Sequence, residues 1–259
     1  MSLQLAAIYS KPLMALLAEG KAAVDCIVVC SWHTEAQMRE ARSHRPLLLH
    51  NMPAMLALNQ SDPFDEAIMA QAQRLLVLAD PPWFSMSFGL SVEAFEYNGT
   101  ITPRSETQSR SQVYLNICRN AVRLKQRLPV PLILENLDYH PTNAYEYVCE
   151  PLFITAVLNA VDCGFLLDVA HARISAHNLG LDEEQYFRAM PLFRVREVHV
   201  SGPRLREGAM TDAHEPLQDE DWEALTFVLA RTRPQIVTLG YTKDKDQLQD
   251  QLQRLRTLV

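Results

Sequence analysis

The residues best suited to chemistry in this chain stand at the ends of short apolar runs. Pro46–His50 (Pro-Leu-Leu-Leu-His) closes on a histidine, and Pro131–Asn136 (Pro-Leu-Ile-Leu-Glu-Asn) closes on an acid and an amide. Gly164–His171 (Gly-Phe-Leu-Leu-Asp-Val-Ala-His) ends in an acid followed by a histidine, and Val195–Gly202 (Val-Arg-Glu-Val-His-Val-Ser-Gly) carries His199 between two valines. An acid directly after a buried run bears a desolvation cost unless a metal or basic partner compensates it. Glu135 and Asp168 are therefore expected as ligands, and His199 shares their setting. A lone histidine after a strand is more often a hydrogen-bonded structural residue, so His50 gains weight only in company. His171, Asp212 and His214 read as loop residues able to add ligands, or else to be solvated or to cap a helix. Asn136 is expected to orient a ligand through a hydrogen bond. His33, His44, His140 and His177 lack such a setting and are expected at the surface.

Carboxylate oxygen and imidazole nitrogen without thiolate suit Fe, Mn, Zn or Co. The candidates His50, Glu135, Asp168, His171, His199, Asp212 and His214 exceed the usual need of one ion, which favours two.

Residues so far apart need a fold that brings strand ends together. Apolar strand segments recur at Leu3–Tyr9, Asp25–Cys30, Pro46–His50, Trp83–Gly89, Pro131–Asn136, Gly164–Val169, Val195–Val200 and Gln235–Tyr241. Helical patterns fall between them, including Ser105–Leu128, Tyr145–Val161, Asp182–Met190 and Asp244–Leu258. Alternating strands and helices imply a parallel sheet covered on both faces, and about eight such units are what a (β/α)8 TIM barrel needs. With no linker or break in composition, residues 1–259 are expected to form a single TIM-barrel domain. The rival is an open doubly wound sheet. Against it, no glycine-rich loop follows the first strand, and the polar strand ends are spread over many strands. In a barrel the C-terminal strand ends converge on one face, so the candidate ligands would share one pocket. The loops at 90–110 and 202–216 are long enough to lie over it.

Composition bounds the partners. A net charge of −7 over 259 residues argues against a general affinity for nucleic acid, which needs a basic face. The five cysteines form no close CxxC pair and read as reduced core residues. The N-terminus shows no basic head before its apolar run, and no uninterrupted apolar span approaches the ~20 residues of a membrane helix. The expected setting is cytoplasmic, away from membranes.

Leu-Glu-Asn at 134–136, Leu-Leu-Asp-Val at 166–169, Val-His-Val-Ser-Gly at 198–202 and Thr-Asp-Ala-His at 211–214 occur in this order. With them the chain resembles the multinuclear non-heme iron-dependent oxidative enzymes, which share the xylose isomerase-like barrel. The resemblance spans most of the chain and is strongest over 131–223. It implies two or three irons held by strand-end carboxylates and histidines, which activate O2 to modify residues, often cysteine, in a precursor peptide. It also implies a separate peptide-binding partner protein. Glu135, Asp168, His199, Asp212 and His214 match the family's ligand positions, His50 matches its early strand-end histidine, and His171 stands where many members have asparagine. Two positions depart: Ser85-Met86-Ser87 replaces a Ser-x-His motif, and Gly240 replaces a glutamate. Neither Ser87 nor Gly240 substitutes well for the missing ligand, so at least one metal position is weakened or lost unless Glu93, or Asp244 and Asp246, compensate.

Three functions are consistent with this reading. The first is an iron-dependent oxidase holding one or two Fe(II)/Fe(III) ions, with Glu135, Asp168 and His199 as its catalytic core and a peptide or small molecule as substrate. The second is a sugar isomerase or epimerase using Mn, Zn or Co, which a glutamate on the last strand would have supported. The third is a barrel that has lost catalysis and serves as a binding protein.

Overall fold

In the computed structural model, which describes residues 3–51, 56–98 and 100–259, the buried apolar side chains separate into two clusters. The separation follows from strand periodicity, since successive side chains point to opposite faces. One cluster (Ala6, Cys26, Val28, Leu48, Trp83, Ile133, Leu166, Ile236) fills the inside of a barrel. The other, far larger, takes the alternate residues, such as Leu47, Leu49, Leu132, Leu134, Phe165 and Leu167, and packs them against helices.

The elements are β1 (Gln4–Ile8), α1 (Lys11–Ala18), β2 (Cys26–Cys30), α2 (Glu35–His44), β3 (Leu47–His50), α3 (Glu66–Ala79) and β4 (Phe84–Ser87). There follow β5 (Phe95–Tyr97), β6 (Ile101–Pro103), α4 (Arg110–Arg127), β7 (Leu132–Glu135), α5 (Pro151–Val161), β8 (Gly164–Asp168), α6 (Val169–Asn178) and α7 (Glu183–Ala189). The chain continues through β9 (Val195–Val200), β10 (Gly202–Arg206), β11 (Ala209–Glu215), α8 (Asp219–Leu229), β12 (Ile236–Leu239) and α9 (Lys245–Arg256). Eight parallel strands close in the order β1-β12-β9-β8-β7-β4-β3-β2. This is the expected (β/α)8 barrel. Among the described residues no helix is long and apolar enough to cross a membrane.

The expected helices largely begin at side-chain caps. Thr34, Asp65, Ser109, Asp182 and Asp244 each accept a hydrogen bond from a backbone N–H in the following first turn. Three features depart from expectation. The helix expected from Tyr145 begins at Pro151, because proline is tolerated only in a helix's first turn, and Tyr147 has a φ of +69°. The stretch after Asp168 is itself a helix, α6, so His171 lies in a first helical turn and not in a loop. The two long loops fold into antiparallel hairpins, β5–β6 and β10–β11, the second turning at Glu207-Gly208 with φ of +51° and +85°. Positive φ at both turn residues matches the twist of paired strands.

Candidate metal centre

Alternation along each strand sets one layer of side chains above the apolar interior. Two residues beyond Leu48, Ile133 and Leu166 come His50, Glu135 and Asp168, and His199 and Thr238 reach the same level on β9 and β12. The ladders place Asp168 beside His199, Ser87 beside Glu135 and His50 beside Ser85. All are buried. Ligand atoms of Glu135, Asp168 and His199 lie within 4.8 Å of one another, the spacing a shared cation would need.

Hydrogen bonds assign each imidazole's free nitrogen. Ser85 Oγ donates to the Leu49 carbonyl (3.3 Å) and so accepts from His50 Nδ1 (2.9 Å). His50 Nε2 then accepts from Asn51 Nδ2 (2.8 Å) and faces Glu135 Oε2 at 3.3 Å. His199 Nε2 donates to Glu197 Oε1 (2.9 Å), which turns Nδ1 toward Glu135 Oε1 at 3.8 Å. His171 Nδ1 donates to the Asn136 carbonyl (2.8 Å), leaving Nε2 at 3.8 Å from Asp212 Oδ2 and 4.0 Å from Asp168 Oδ2. His214 Nδ1 donates to the Gly240 carbonyl (2.7 Å), and Nε2 lies 2.8 Å from Asp212 Oδ2. In His171, His199 and His214 the nitrogen facing the carboxylates is the one not held by a backbone carbonyl or by Glu197, whereas the lone pair of His50 Nε2 is already taken by the Asn51 amide.

The seven candidates thus meet in two adjoining groups. His50, Glu135 and His199 form an inner group, His171, Asp212 and His214 an outer one, and Asp168 stands between them. Asn136 joins the groups: its amide donates to the Asp168 carbonyl (3.0 Å) and accepts from the Asp168 N–H (2.9 Å). Asp168 also caps α6, accepting from His171 N–H at 2.9 Å, which places a carboxylate at a helix N-terminus. Asp212 and His214 lie on β11, not in a loop, and His214 is held at a left-handed φ of +45°. Such backbone is costly for a non-glycine residue and concentrates at functional sites.

Electrostatics favours a cation here. Burial pushes the Asp168 carboxyl above its ordinary range despite His171, and the charges of Glu135 and Asp212 add to the effect. Burial works the same way on Glu135, but His50, His171 and His199 outweigh it and hold that carboxyl well below the usual range. Burial opposes the charged form of His171, yet Asp168, Asp212, Asp138 and Glu135 raise it well above the imidazole range. For His214 burial is likewise outweighed, by the Asp212 contact, and the ring is raised to about 9. Four carboxylates and four imidazoles are packed together in the protein alone, counting Glu197. The donor set of hard oxygens and borderline nitrogens fits a divalent metal.

The two departures from the family pattern have physical explanations. Ser87 Oγ donates to Glu135 Oε2 (2.7 Å) and its N–H donates to Asn51 Oδ1 (3.0 Å), so this position steadies an acid. At Gly240 a Cβ would lie 3.0 Å from Ser201 Cβ and 3.1 Å from His214 Nδ1, so a side chain there would press on both and displace each by a few tenths of an ångström. The suggested replacements do not turn inward. Glu93 accepts from Ser61 Oγ at 2.6 Å at the surface, Asp244 caps α9, and Asp246 lies in the first turn of α9.

Of the histidines expected at the surface, His177 is exposed. His33 is half-buried, its Nδ1 accepting from Cys30 N–H at 2.9 Å, and His140 pairs with Asp138 at 2.7 Å. The residue missed in sequence is Glu197, whose signal was present: it is an acid inside an apolar strand, two positions before His199 and therefore on the same face.

Comparisons with known proteins agree with this architecture. UPF0276 protein Anae109_1558 of Anaeromyxobacter sp. (strain Fw109-5) is 26% identical over 197 residues, 76% of this chain and 68% of the relative. A UPF0276 protein of Caulobacter vibrioides (strain NA1000 / CB15N) is 27% identical over 203 residues, 77% of this chain and 71% of the relative. Among solved structures, a D-tagatose 3-epimerase-like protein superposes with a TM-score of 0.67 at 10% identity, covering 98% of this chain and 96% of that one. Endonuclease IV from Thermus thermophilus does so with a TM-score of 0.62 at 15% identity, covering 98% of each. At such identities these two show the fold alone, a xylose isomerase-like barrel. The sequence model described as RiPP precursor modification enzyme MbnB/TglH/ChrH matches residues 23–258, and the chain belongs to that family.

Proposed function

We propose that this protein is an iron-dependent oxidase that uses O2 to modify a peptide. The observation that carries the reading is the buried Glu135–Asp168–His199 group with His171, Asp212 and His214 beside it, in a chain of a family described as modifying RiPP precursors, which are ribosomally made peptides. Glu135, Asp168 and His199 would hold one ion, joined by His50 once Asn51 releases its Nε2, and His171, Asp212 and His214, with Asp168, would hold a second. Iron bound there supplies redox chemistry toward O2.

The chain's own residues do the rest. Ser85, Glu197 and the carbonyls of Asn136 and Gly240 fix the imidazoles in one tautomer each, so the ligand set is preorganised. Ser87 and Asn51 steady Glu135 and His50. The walls of buried strand leave the inner group little exposed to solvent. The hairpins β5–β6 and β10–β11 follow barrel strands at the same C-terminal face, where a peptide would lie, presented by a separate peptide-binding partner protein. The five free cysteines suit work in a reducing, cytoplasmic setting.

Metal analysis of protein purified anaerobically and replete with metal tests the proposal, followed by O2 uptake in the presence of peptide. Iron above one equivalent per chain and peptide-dependent O2 consumption are expected. One Mn, Zn or Co per chain without O2 uptake points to the isomerase, and persistent absence of metal to a binding protein; either outcome overturns the oxidase.

A further inference from the structure

The barrel holds an acid that the proposed metal centre does not use as a ligand. Glu197 is 1% exposed and lies one layer below His199, paired in the ladders with Leu166 and Ile236. Three donors converge on it: His199 Nε2 (2.9 Å) and Thr238 Oγ1 (3.1 Å) at Oε1, and Trp83 Nε1 (2.8 Å) at Oε2. An indole N–H can only donate, and an acceptor-only carboxylate satisfies all three at once. The other imidazoles are anchored differently on the side turned away from the carboxylates. His50 rests on a serine hydroxyl, His171 and His214 on backbone carbonyls, all neutral. Of these four rings only His199 rests, on that side, on an anion.

We propose that Glu197 is a positioning residue whose charge makes the His199 cation position the tighter of the two. Resting on the reading of His199 as a ligand, the proposal adds which half of the centre fills first and what makes it so. The carboxylate holds the Nε2–H tautomer, aims Nδ1 at Glu135 and Asp168, and increases the electron density the ring offers a cation. Trp83 and Thr238 hold the carboxylate in turn, so the barrel's interior layer carries a polar relay that ends at the centre.

Co(II) titrated into the whole protein, followed by its ligand-field absorption and by chelator competition, tests this without any substrate. In Glu197→Gln the first equivalent is expected to bind about 10- to 100-fold more weakly, with shifted bands and an unchanged second equivalent. The amide would face at least one of the three donors with its own N–H, so a second variant, Trp83→Phe combined with Glu197→Gln, removes the indole donor and isolates the charge. The same loss is expected there, with a cooperative thermal melt. A merely structural role would lower the melting temperature of Glu197→Gln and leave affinity and bands at the wild-type values in the double variant. That result overturns the proposal. Wild-type protein that takes up no Co(II) would instead remove the metal reading itself, and the role of Glu197 with it.

Discussion

The inner and outer halves of the centre are built from different materials. His50, Glu135, Asp168 and His199 project from barrel strands, and their side chains are 3–10% exposed. The side chains of His171, Asp212 and His214 are 15%, 22% and 38% exposed and come from the first turn of α6 and from a two-stranded hairpin. Parallel ladders on both sides fix the inner residues, whereas β11 pairs only with β10 and is tied down by Asn178, which bonds both the N–H and carbonyl of Met210. Position in the inner half is set by the fold, and in the outer half by a few side-chain bonds. The two halves should therefore respond separately to mutation.

The largest effect is expected from Asp168→Ala, which removes the acid that stands between the halves. Metal analysis should find both positions empty, and loss of the α6 cap should cost about 0.5–2 kcal/mol in denaturant unfolding. Retention of the wild-type metal content would break the assignment. His214→Ala should remove only the outer ion, halving the metal content while the first Co(II) equivalent binds as before. Loss of both ions would mean that the halves are one unit.

Gly240→Ala should act more gently. Its methyl presses on Ser201 and His214, an overpacking worth about 1–3 kcal/mol, and chelator competition should show weaker outer binding with the inner position intact. Wild-type affinities at both positions would show that His214 tolerates the displacement.

The smallest effect is one of pH. His214 is raised to about 9 in the metal-free protein, so its pairing with Asp212 stabilises the fold fully below the ordinary imidazole range, and this contribution is lost as pH rises through about 9. Asp212 is depressed, burial being outweighed by His171 and His214, so its contribution is present above the ordinary carboxylate range and is lost in acid. A metal at the proposed outer position would have to displace the His214 proton, and calorimetry at pH 7 in buffers of different ionisation heat should detect proton release. His214→Ala should release less; identical release would remove His214 from the outer half.

The same contrast explains what was legible in sequence. Strand ends such as Leu-Leu-Leu-His and Leu-Ile-Leu-Glu reveal themselves because burial makes polar residues conspicuous, and all eight barrel strands fall within the expected segments. The hairpins stayed hidden because their short strands are half-exposed and lack a sustained apolar face. α6 was obscured because Asp168 is at once the end of β8 and the cap of the helix, leaving no loop to announce it. Glu197 lies one layer below a strand end, inside the strand, where the strand-end pattern does not mark it. The order of Asp212 and His214 was readable, but not the left-handed backbone that turns His214 toward Asp212.

The contact between Gly240 and His214 also constrains how this chain can change over generations. A side chain at position 240 would require Ser201 and the imidazole of His214 to give by a few tenths of an ångström, so a single substitution at 240 adds a donor while pressing on another. An acid on the last strand is therefore coupled to positions 201 and 214, and a donor gained at 240 is traded against the placement of His214.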